Sequence, residues 1–405
     1  MYKCILLIGL SYQLLCMNWE PSSLADLAIE KLINTPSLLT VADTLHPDLQ
    51  SMVKRKFLVE KIKKPLFPLK MRLTKSISLN LKGVCGLEAI SSAQQVISIG
   101  CDGKIAFCHE DSMHNCDLID MHKSWYCARL QEDAKTLYLG GLSGDVGSLR
   151  IHDKEPQETF QAHVQTVNAL SFSPDQKQLI TCSNDSLIKL WDLKDRVCKA
   201  VFLGHTRAVK NAFSIQAHQK IISGSSDRTV RIWDLDTQQQ EHAYQAIDNL
   251  TISRLARHPE EHLCVCGFNS GAMNLLDIRQ EKANDFLEAH NGLISGLLCS
   301  QDGNYIASAS WDGKVRLWDL RMMACSTILS FHQDWIQSIA SLHNFQKVIS
   351  GSRDGRIKMW DISTVLAIDT INNLKDMAAK AALIAEESPV SHKERLTMAE
   401  RITKH

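Results

Sequence analysis

The 405-residue sequence predicts an all-β fold, a seven-bladed β-propeller, and two repeating landmarks indicate it. A short apolar run, a turn and a strand ending at or near Trp-Asp recur seven times, with closing positions at residues 109, 153, 192, 234, 277, 319 and 361. A histidine precedes four of these positions by 29 residues, as His163, His205, His290 and His332. A period of about 40–45 residues with four short strands per unit is typical of propeller blades, so seven units predict seven blades.

Unit four shows how one blade follows from its residues. The segment from His205 to Phe213 has the apolar positions of an inner strand. The next strand, IISGS, is β-branched and small, as suits a strand packed between neighbouring blades. A Ser-Asp-Arg-Thr turn follows, because Ser and Asp side chains bond their own backbone. The third strand, TVRIWD, alternates apolar and polar residues.

These units resemble the WD40-repeat family, in which Gly-His opens each unit and Trp-Asp closes its third strand. Here Gly204-His205 and IISGSSDRTVRIWD (Ile221 to Asp234) match most fully, and the resemblance covers roughly residues 73–371. It implies a buried network of the opening His, a Ser or Thr of strand two, the turn Asp and the Trp, with Ser223 or Ser225 as the hydroxyl of unit four. The other positions are His163, Asp185, Trp191, His205, Asp227, Trp233, His290, Asp312, Trp318, His332, Asp354 and Trp360. We expect them to be structural, because buried polar groups must be paired.

Units one, two and five depart from the repeat. Cys108, His152 and Leu276 stand where the Trp is expected, and these blades should therefore be less stable. In unit two, His122 precedes Asp153 by 31 residues instead of 29.

Ring closure needs a fourth strand beside unit seven, and two segments compete for that place. They are Leu73–Leu79 (LTKSISL) and Val365–Thr370 (VLAIDT). The family usually uses the N-terminal segment, which ties both ends of the ring together and removes exposed edges. The residues themselves leave both alternatives open.

The predicted organisation has three parts: residues 1–72, the propeller over 73–371, and a helical, charged tail over 372–405. The run from Cys4 to Cys16 imitates a signal peptide, but it lacks an Ala-x-Ala-like cleavage site, and Met17 opens a segment typical of a translation start. Residues 22–33 and 47–57 have helical spacing. They either pack on the propeller or dock into a partner, and residues 372–387 predict an amphipathic helix.

Composition argues against several classes of function. Lys plus Arg and Asp plus Glu each number 45, so no net charge favours nucleic acid or a membrane surface. The 13 cysteines are irregularly spaced, and Cys264 and Cys266 lack the partners of a zinc site. We therefore expect reduced thiols, a cytoplasmic or nuclear protein, no metal and no cofactor.

Binding is the predicted class of function, since no phosphate loop, metalloprotease motif or nucleophile elbow occurs in the sequence. In the family, partners often lie on the face formed by the opening loops and the turns between strands two and three. The candidate partner-binding residues there are Trp311, Arg353, Trp335, Asn184, Arg207 and Lys210. Trp and Arg are enriched at binding hot spots, so Trp311 beside Arg353 would anchor a peptide. The alternative is that Trp311 packs across a blade boundary.

Three roles follow from this interpretation. The first is a non-catalytic scaffold of a multi-protein complex. The second is a substrate receptor of a cullin-RING ubiquitin ligase, because Arg279 and Arg321 each stand two residues after a closing Asp, as in the adaptor-contacting box of such receptors. The third is a component of an RNA-processing particle, because Lys54 to Lys75 is strongly basic.

Overall fold

The computed structural model describes residues 72–79, 81–112, 116–215, 219–246, 250–279, 283–321, 324–329, 332–363 and 366. Within them, 28 strands form seven four-stranded antiparallel sheets, which confirms the predicted all-β, seven-bladed propeller. The predicted N-terminal helices, most of the basic stretch and the predicted C-terminal helix lie outside these residues. No helix in the described part is long and apolar enough to cross a membrane.

The strands follow the repeat closely. Strand β1 (Arg72–Ser78) is the first of the described strands and pairs with the last of them. Blades one to three are β2 (Val84–Ile90), β3 (Gln95–Gly100), β4 (Lys104–His109), β5 (Cys116–Asp120); β6 (Trp125–Leu130), β7 (Thr136–Gly141), β8 (Asp145–Arg150), β9 (Phe160–Gln161); and β10 (Val167–Phe172), β11 (Gln178–Ser183), β12 (Ile188–Asp192), β13 (Cys198–Phe202).

The remaining blades have the same order from the channel outward. Blades four to six are β14 (Val209–Ile215), β15 (Lys220–Ser225), β16 (Thr229–Asp234), β17 (Gln240–Gln245); β18 (Ile252–Arg257), β19 (Leu263–Phe268), β20 (Ala272–Asp277), β21 (Ala283–Glu288); and β22 (Ile294–Cys299), β23 (Tyr305–Ser310), β24 (Val315–Asp319), β25 (Ala324–Ile328). Blade seven contains β26 (Ile336–Leu342), β27 (Lys347–Ser352), β28 (Arg356–Asp361) and β1.

The hydrophobic core lies between neighbouring blades. One buried cluster joins Ile97 and Phe107 of blade one to Leu137 and Leu149 of blade two. The second strands are buried on both faces, as their β-branched and small residues predict; β15 is buried from its second residue to its last. Each blade therefore presents two apolar faces, and stacking the blades around the ring covers both.

The N-terminal segment closes the ring. Strand β1 runs antiparallel to β28, with Arg72 opposite Asp361 and Ser78 opposite Arg356. Of the two competing segments, Leu73–Leu79 therefore takes the fourth place of blade seven, and nearly all of Val365–Thr370 lies outside the described residues. This arrangement joins both ends of the described chain in one sheet.

The structure corrects the alignment of unit two. Leu137 pairs with Leu149 and Thr136 with Arg150, so Leu149 occupies the Trp position and Arg150 the closing position. Met121 occupies the opening position, because its amide donates to the Gly103 carbonyl at 3.1 Å as His163 donates to Gly144 at 2.8 Å. The assignments of His122, His152 and Asp153 were therefore wrong. His152 and Asp153 are exposed residues of the long β8–β9 connection and only imitate the closing dipeptide.

The expectation of reduced thiols is wrong for one pair of cysteines. Cys108 at the Trp position of blade one is disulfide-bonded to Cys116, which lies directly opposite on β5 with a Cα–Cα distance of 4.4 Å. The irregular sequence spacing concealed this pair, because a turn between two antiparallel strands brings them face to face. The other described cysteines are free thiols: Cys85, Cys101, Cys127, Cys182, Cys198, Cys264, Cys266, Cys299 and Cys325.

Candidate functional site

The loop before the first strand and the turn between the second and third strands meet on one side of every blade, which we name the turn face. A backbone hydrogen bond joins them in each blade. The Trp311 amide donates to Leu293 at 3.0 Å, and the Arg353 amide donates to Trp335 at 2.9 Å. Asn184 and Ser226 make the same bond in blades three and four. The turn face thus places Asn184, Trp311 and Arg353 at equivalent positions of their blades.

Two exposed tryptophans of neighbouring blades stack on this face. The rings of Trp311 and Trp335 lie parallel within 3°, with centroids 4.2 Å apart, and each side chain remains 38% exposed. The guanidinium of Arg353 lies over the Trp335 ring, 5.1 Å from its centroid. Trp311 therefore packs across a blade boundary and still presents apolar surface to solvent, while its role as a peptide anchor stays a prediction.

The other expected contact residues lie on the blade-three and blade-four side of the turn face. Lys210 Nζ lies 3.2 Å from Asn184 Oδ1, and that oxygen also accepts a hydrogen bond from Asn168 at 2.9 Å. Arg207 is exposed in the loop before β14, where its carbonyl accepts from Ser225 Oγ. The structure thus pairs Lys210 with Asn184 and leaves Arg207 at the surface.

Sequence reasoning missed Arg254, whose side chain lines the central cavity. Each of the seven first strands has a register shift between its first and third residues. Lys210 is the shifted second residue of β14, and Arg254 is the third residue of β18. Both line the central cavity. The sequence did contain a signal for these channel-lining side chains, namely a polar residue two or three places into an otherwise apolar first strand.

Four blades carry a continuous buried network. In blade four, His205 Nδ1 lies 2.7 Å from Asp227, and its Nε2 lies 2.8 Å from Ser223 Oγ. Trp233 Nε1 donates to the same Ser223 oxygen at 2.8 Å. Ser223 is therefore the network hydroxyl, whereas Ser225 Oγ contacts loop carbonyls. The equivalent contacts join His163 to Thr181 and Asp185, His290 to Ser308 and Asp312, and His332 to Ser350 and Asp354.

The direction of these hydrogen bonds follows from the groups involved. An ionised Asp only accepts, so His Nδ1 donates to it and the neutral Nε2 accepts from the hydroxyl. The hydroxyl oxygen then accepts the Trp N–H, as it does for Trp191, Trp233 and Trp318. These three networks are satisfied from carboxylate to indole, which fixes one arrangement of the turn and the third strand in blades three, four and six.

The repeat family follows from these blades. A family model described as WD domain, G-beta repeat matches residues 154–192, 196–234, 282–319 and 323–361. The segments end with the third strands of blades three, four, six and seven, which are the blades with the His-to-Asp networks. The chain therefore contains WD40 repeats within its seven-bladed propeller.

Curated relatives of this WD40 propeller match over short segments. Periodic tryptophan protein 2 of Saccharomyces cerevisiae is 32% identical over 174 residues, which are 42% of this chain and 19% of that protein. The 26S proteasome regulatory subunit RPN14 of S. cerevisiae is 33% identical over 82 residues, 20% of this chain and 19% of the relative. The probable coatomer subunit beta' of Schizosaccharomyces pombe is 34% identical over 84 residues, 20% and 11% of the two proteins. The matched segments span less than a fifth of each of these relatives.

Acid is expected to destabilise the WD40 networks. Burial lowers the pKa of His205, His290 and His332 despite the facing carboxylates, because it disfavours the imidazolium. The unfolded chain therefore binds protons that these folded histidines exclude, and stability falls as the pH drops below about 6.5. Burial would raise the pKa of Asp227, but hydrogen bonds from His205 and Thr229 lower it. The stability that the ionised Asp227 carboxylate contributes is therefore lost only at still lower pH.

Urea denaturation midpoints at pH 7.5, 6.5 and 5.5 would measure this effect. We expect the urea midpoint to fall progressively from pH 7.5 to pH 5.5. The control variant His122→Gln removes an exposed histidine outside the networks and should show the same pH dependence. A midpoint that is constant or rises toward pH 5.5 would contradict the assignment of neutral buried histidines.

The two arginines expected to contact a ligase adaptor are engaged within their own blades. Arg279 donates to both carboxylate oxygens of Asp277, at 3.1 and 2.9 Å. Arg321 makes the same pair with Asp319, at 3.0 and 2.7 Å, and also donates to the Tyr305 hydroxyl at 2.6 Å. These contacts close the turn after the third strand. The Arg279 side chain is 62% exposed and that of Arg321 is 34% exposed, and the adaptor contact stays a prediction.

Within the described ranges, no group of three or more His, Cys, Asp or Glu side chains could hold a metal ion. The aspartates that stand out are committed to the repeat, as partners of the network histidines or as caps of backbone turns. The turn face is therefore the candidate functional site.

Proposed function

We propose that this chain is a non-catalytic scaffold that holds a partner protein against the turn face, with Trp311, Trp335 and Arg353 as the central contacts. One observation carries the proposal: two large aromatic side chains are stacked and exposed on the face of a rigid ring. Trp and Arg are the residues most enriched at binding hot spots. A stacked pair has already lost most of its rotamer freedom, so binding to it costs little ordering entropy.

The relatives support the same class of function. Two of them are named as subunits of larger assemblies, a proteasome regulatory subunit and a probable coatomer subunit. A propeller within a multi-subunit complex must present surface for contacts between subunits. The ligase-receptor role rests on Arg279 and Arg321 alone, and most of the basic stretch behind the RNA-particle role lies outside the described residues, so both stay sequence-based predictions.

Affinity capture from cells, followed by mass spectrometry, tests this proposal. The full chain is compared with Trp335→Ala and with Val197→Ala, which alters an exposed residue in the β12–β13 turn on the opposite face. We expect Trp335→Ala to reduce the recovery of specific partners about tenfold or more, since a central Trp commonly contributes about 2 kcal/mol or more. Val197→Ala should leave recovery unchanged.

Thermal melting of each variant provides the folding control. Trp335 is partly exposed, so its replacement should leave the propeller intact. Unchanged partners on a folded Trp335→Ala variant, and again on Trp311→Ala, would refute the assignment of the contact to this face.

A further inference from the structure

The central channel has unequal ends. Its cavity of about 630 Å³ is lined by residues of the first strands. At the end away from the turn face, the cations meet carboxylates. Arg129 lies 3.8 Å from Glu88, and Arg257 lies 2.9 Å from Glu261. These charges are compensated within the chain.

The cations near the turn face meet only neutral oxygens. Lys210 Nζ contacts the Asn184 amide oxygen at 3.2 Å. Arg254 donates from Nε to the Ser295 carbonyl at 2.6 Å and from Nη1 to the Ser253 carbonyl at 3.1 Å. No carboxylate of the described residues forms an ion pair with either one.

Two half-buried like charges in one mouth carry an electrostatic cost. Burial lowers the pKa of Lys210, and the charge of Arg254 lowers it further. Arg254 has five N–H groups and uses two of them on backbone carbonyls, which leaves three for a ligand. An anion placed between these side chains would relieve the repulsion and satisfy the remaining donors.

The start of strand β22 links Arg254 to the stacked tryptophans. The Arg254 guanidinium bonds to the Ser295 carbonyl, and two residues earlier the Leu293 carbonyl holds the Trp311 amide at 3.0 Å. Trp311 then stacks on Trp335, and Arg353 covers the Trp335 ring. The turn-face side of the ring therefore carries an arc of Lys210, Arg254, the stacked tryptophans and Arg353, in blades four to seven.

We propose that this arc binds an acidic peptide: a Glu or Asp side chain enters the channel mouth between Lys210 and Arg254, and a neighbouring apolar or aromatic residue packs on Trp311 and Trp335. The inference rests on the proposed scaffold function and specifies the chemistry of its partner. The aromatic pair favours a peptide over a free anion, because it supplies apolar surface that phosphate cannot use. The partly buried mouth strengthens a charge-assisted hydrogen bond by keeping solvent away.

Selection of random octapeptides on phage against the full-length protein tests the inference. Enriched sequences should contain Glu or Asp next to an aromatic or large apolar residue. Fluorescein-labelled copies of these peptides then give dissociation constants by anisotropy. We expect Lys210→Met and Arg254→Gln each to weaken binding about tenfold. Replacing the acidic residue of the peptide by Gln or Asn should weaken its binding to the wild-type protein by a similar factor. The same replacement should change binding to Arg254→Gln only slightly.

The matched control is Arg257→Gln, which removes a cation at the opposite end of the channel and should not change binding. Equal binding to wild type, Lys210→Met and Arg254→Gln, or selected peptides without acids, would overturn the inference. If those peptides still lost affinity on Trp335→Ala, the scaffold proposal would stand alone. Selection of no peptide would count against both, and full displacement by inorganic phosphate at matched ionic strength would identify a free-anion site instead.

Discussion

Ser308→Ala is expected to lower the free energy of unfolding by about 2–4 kcal/mol. Ser308 is fully buried, and its hydroxyl lies 2.7 Å from His290 Nε2 and accepts from Trp318 Nε1 at 2.8 Å. Removing one oxygen therefore leaves two buried groups without partners. Each unsatisfied group costs about 1–3 kcal/mol, whereas a single exchanged hydrogen bond contributes about 1 kcal/mol. Urea denaturation monitored by tryptophan fluorescence would measure the difference.

Ser98→Ala is the matched control for this substitution. Ser98 is fully buried at the same position of blade one, where its Oγ contacts the Ala106 carbonyl at 3.5 Å. Cys108 replaces the Trp in that blade and is bonded to Cys116, so it donates nothing to Ser98. We expect a loss below about 1 kcal/mol. Equal losses for both serines would show that the network adds nothing beyond burial of a hydroxyl.

The repeat was predictable because it uses residues that local physics constrains strongly. Four units keep a His, a turn Asp and a Trp at fixed spacing, since all three join one network and none can shift without breaking it. The same reasoning failed in unit two. There Met121 and Leu149 carry no polar network, and the exposed pair His152-Asp153 imitated the landmark. The opening and closing positions of unit two became clear only from the hydrogen-bonded pairing of its strands.

Sequence patterns predicted which face of the ring carries the candidate site, but they did not predict which side chains touch one another there. Turn geometry placed Asn184, Trp311 and Arg353 on one side of the ring, because each precedes an equivalent turn Asp. The parallel stacking of Trp311 on Trp335 depends on side-chain packing between two blades, which a linear pattern does not contain. Arg254 escaped notice for a related reason. Its place in the cavity depends on how the first strands of the blades surround the channel, which a linear pattern does not contain.

Glu110→Gln is expected to weaken ring closure and to lower the free energy of unfolding by about 2 kcal/mol. The buried Glu110 carboxylate accepts from His343 Nε2 at 2.7 Å and pairs with Lys347 Nζ, both of blade seven. Lys75 of the closing strand β1 donates to the backbone carbonyls of Glu110 and Asp111, at 2.5 and 2.7 Å. Glu110 follows β4 of blade one, so this cluster joins the first blade, the last blade and the closing strand. Replacing the carboxylate by an amide leaves the Lys347 ammonium without its anion beside the His343 imidazole.

Hydrogen exchange locates the effect of this substitution. Amides of β1 and β28 should exchange faster in Glu110→Gln, whereas those of β15 in blade four should change only as far as global stability falls. Glu158→Gln is the control, because Glu158 is mostly exposed and pairs with Arg196 at the surface, where an ion pair contributes about 0–1 kcal/mol. Unchanged exchange in β1, with stability equal to that of the control, would show that the β1–β28 backbone ladder closes the ring without the ion pairs. The expected result would instead show that the ring depends on a polar cluster where its two ends meet, because strand β1, which leads directly into blade one, is held to β28 of blade seven only by non-covalent contacts.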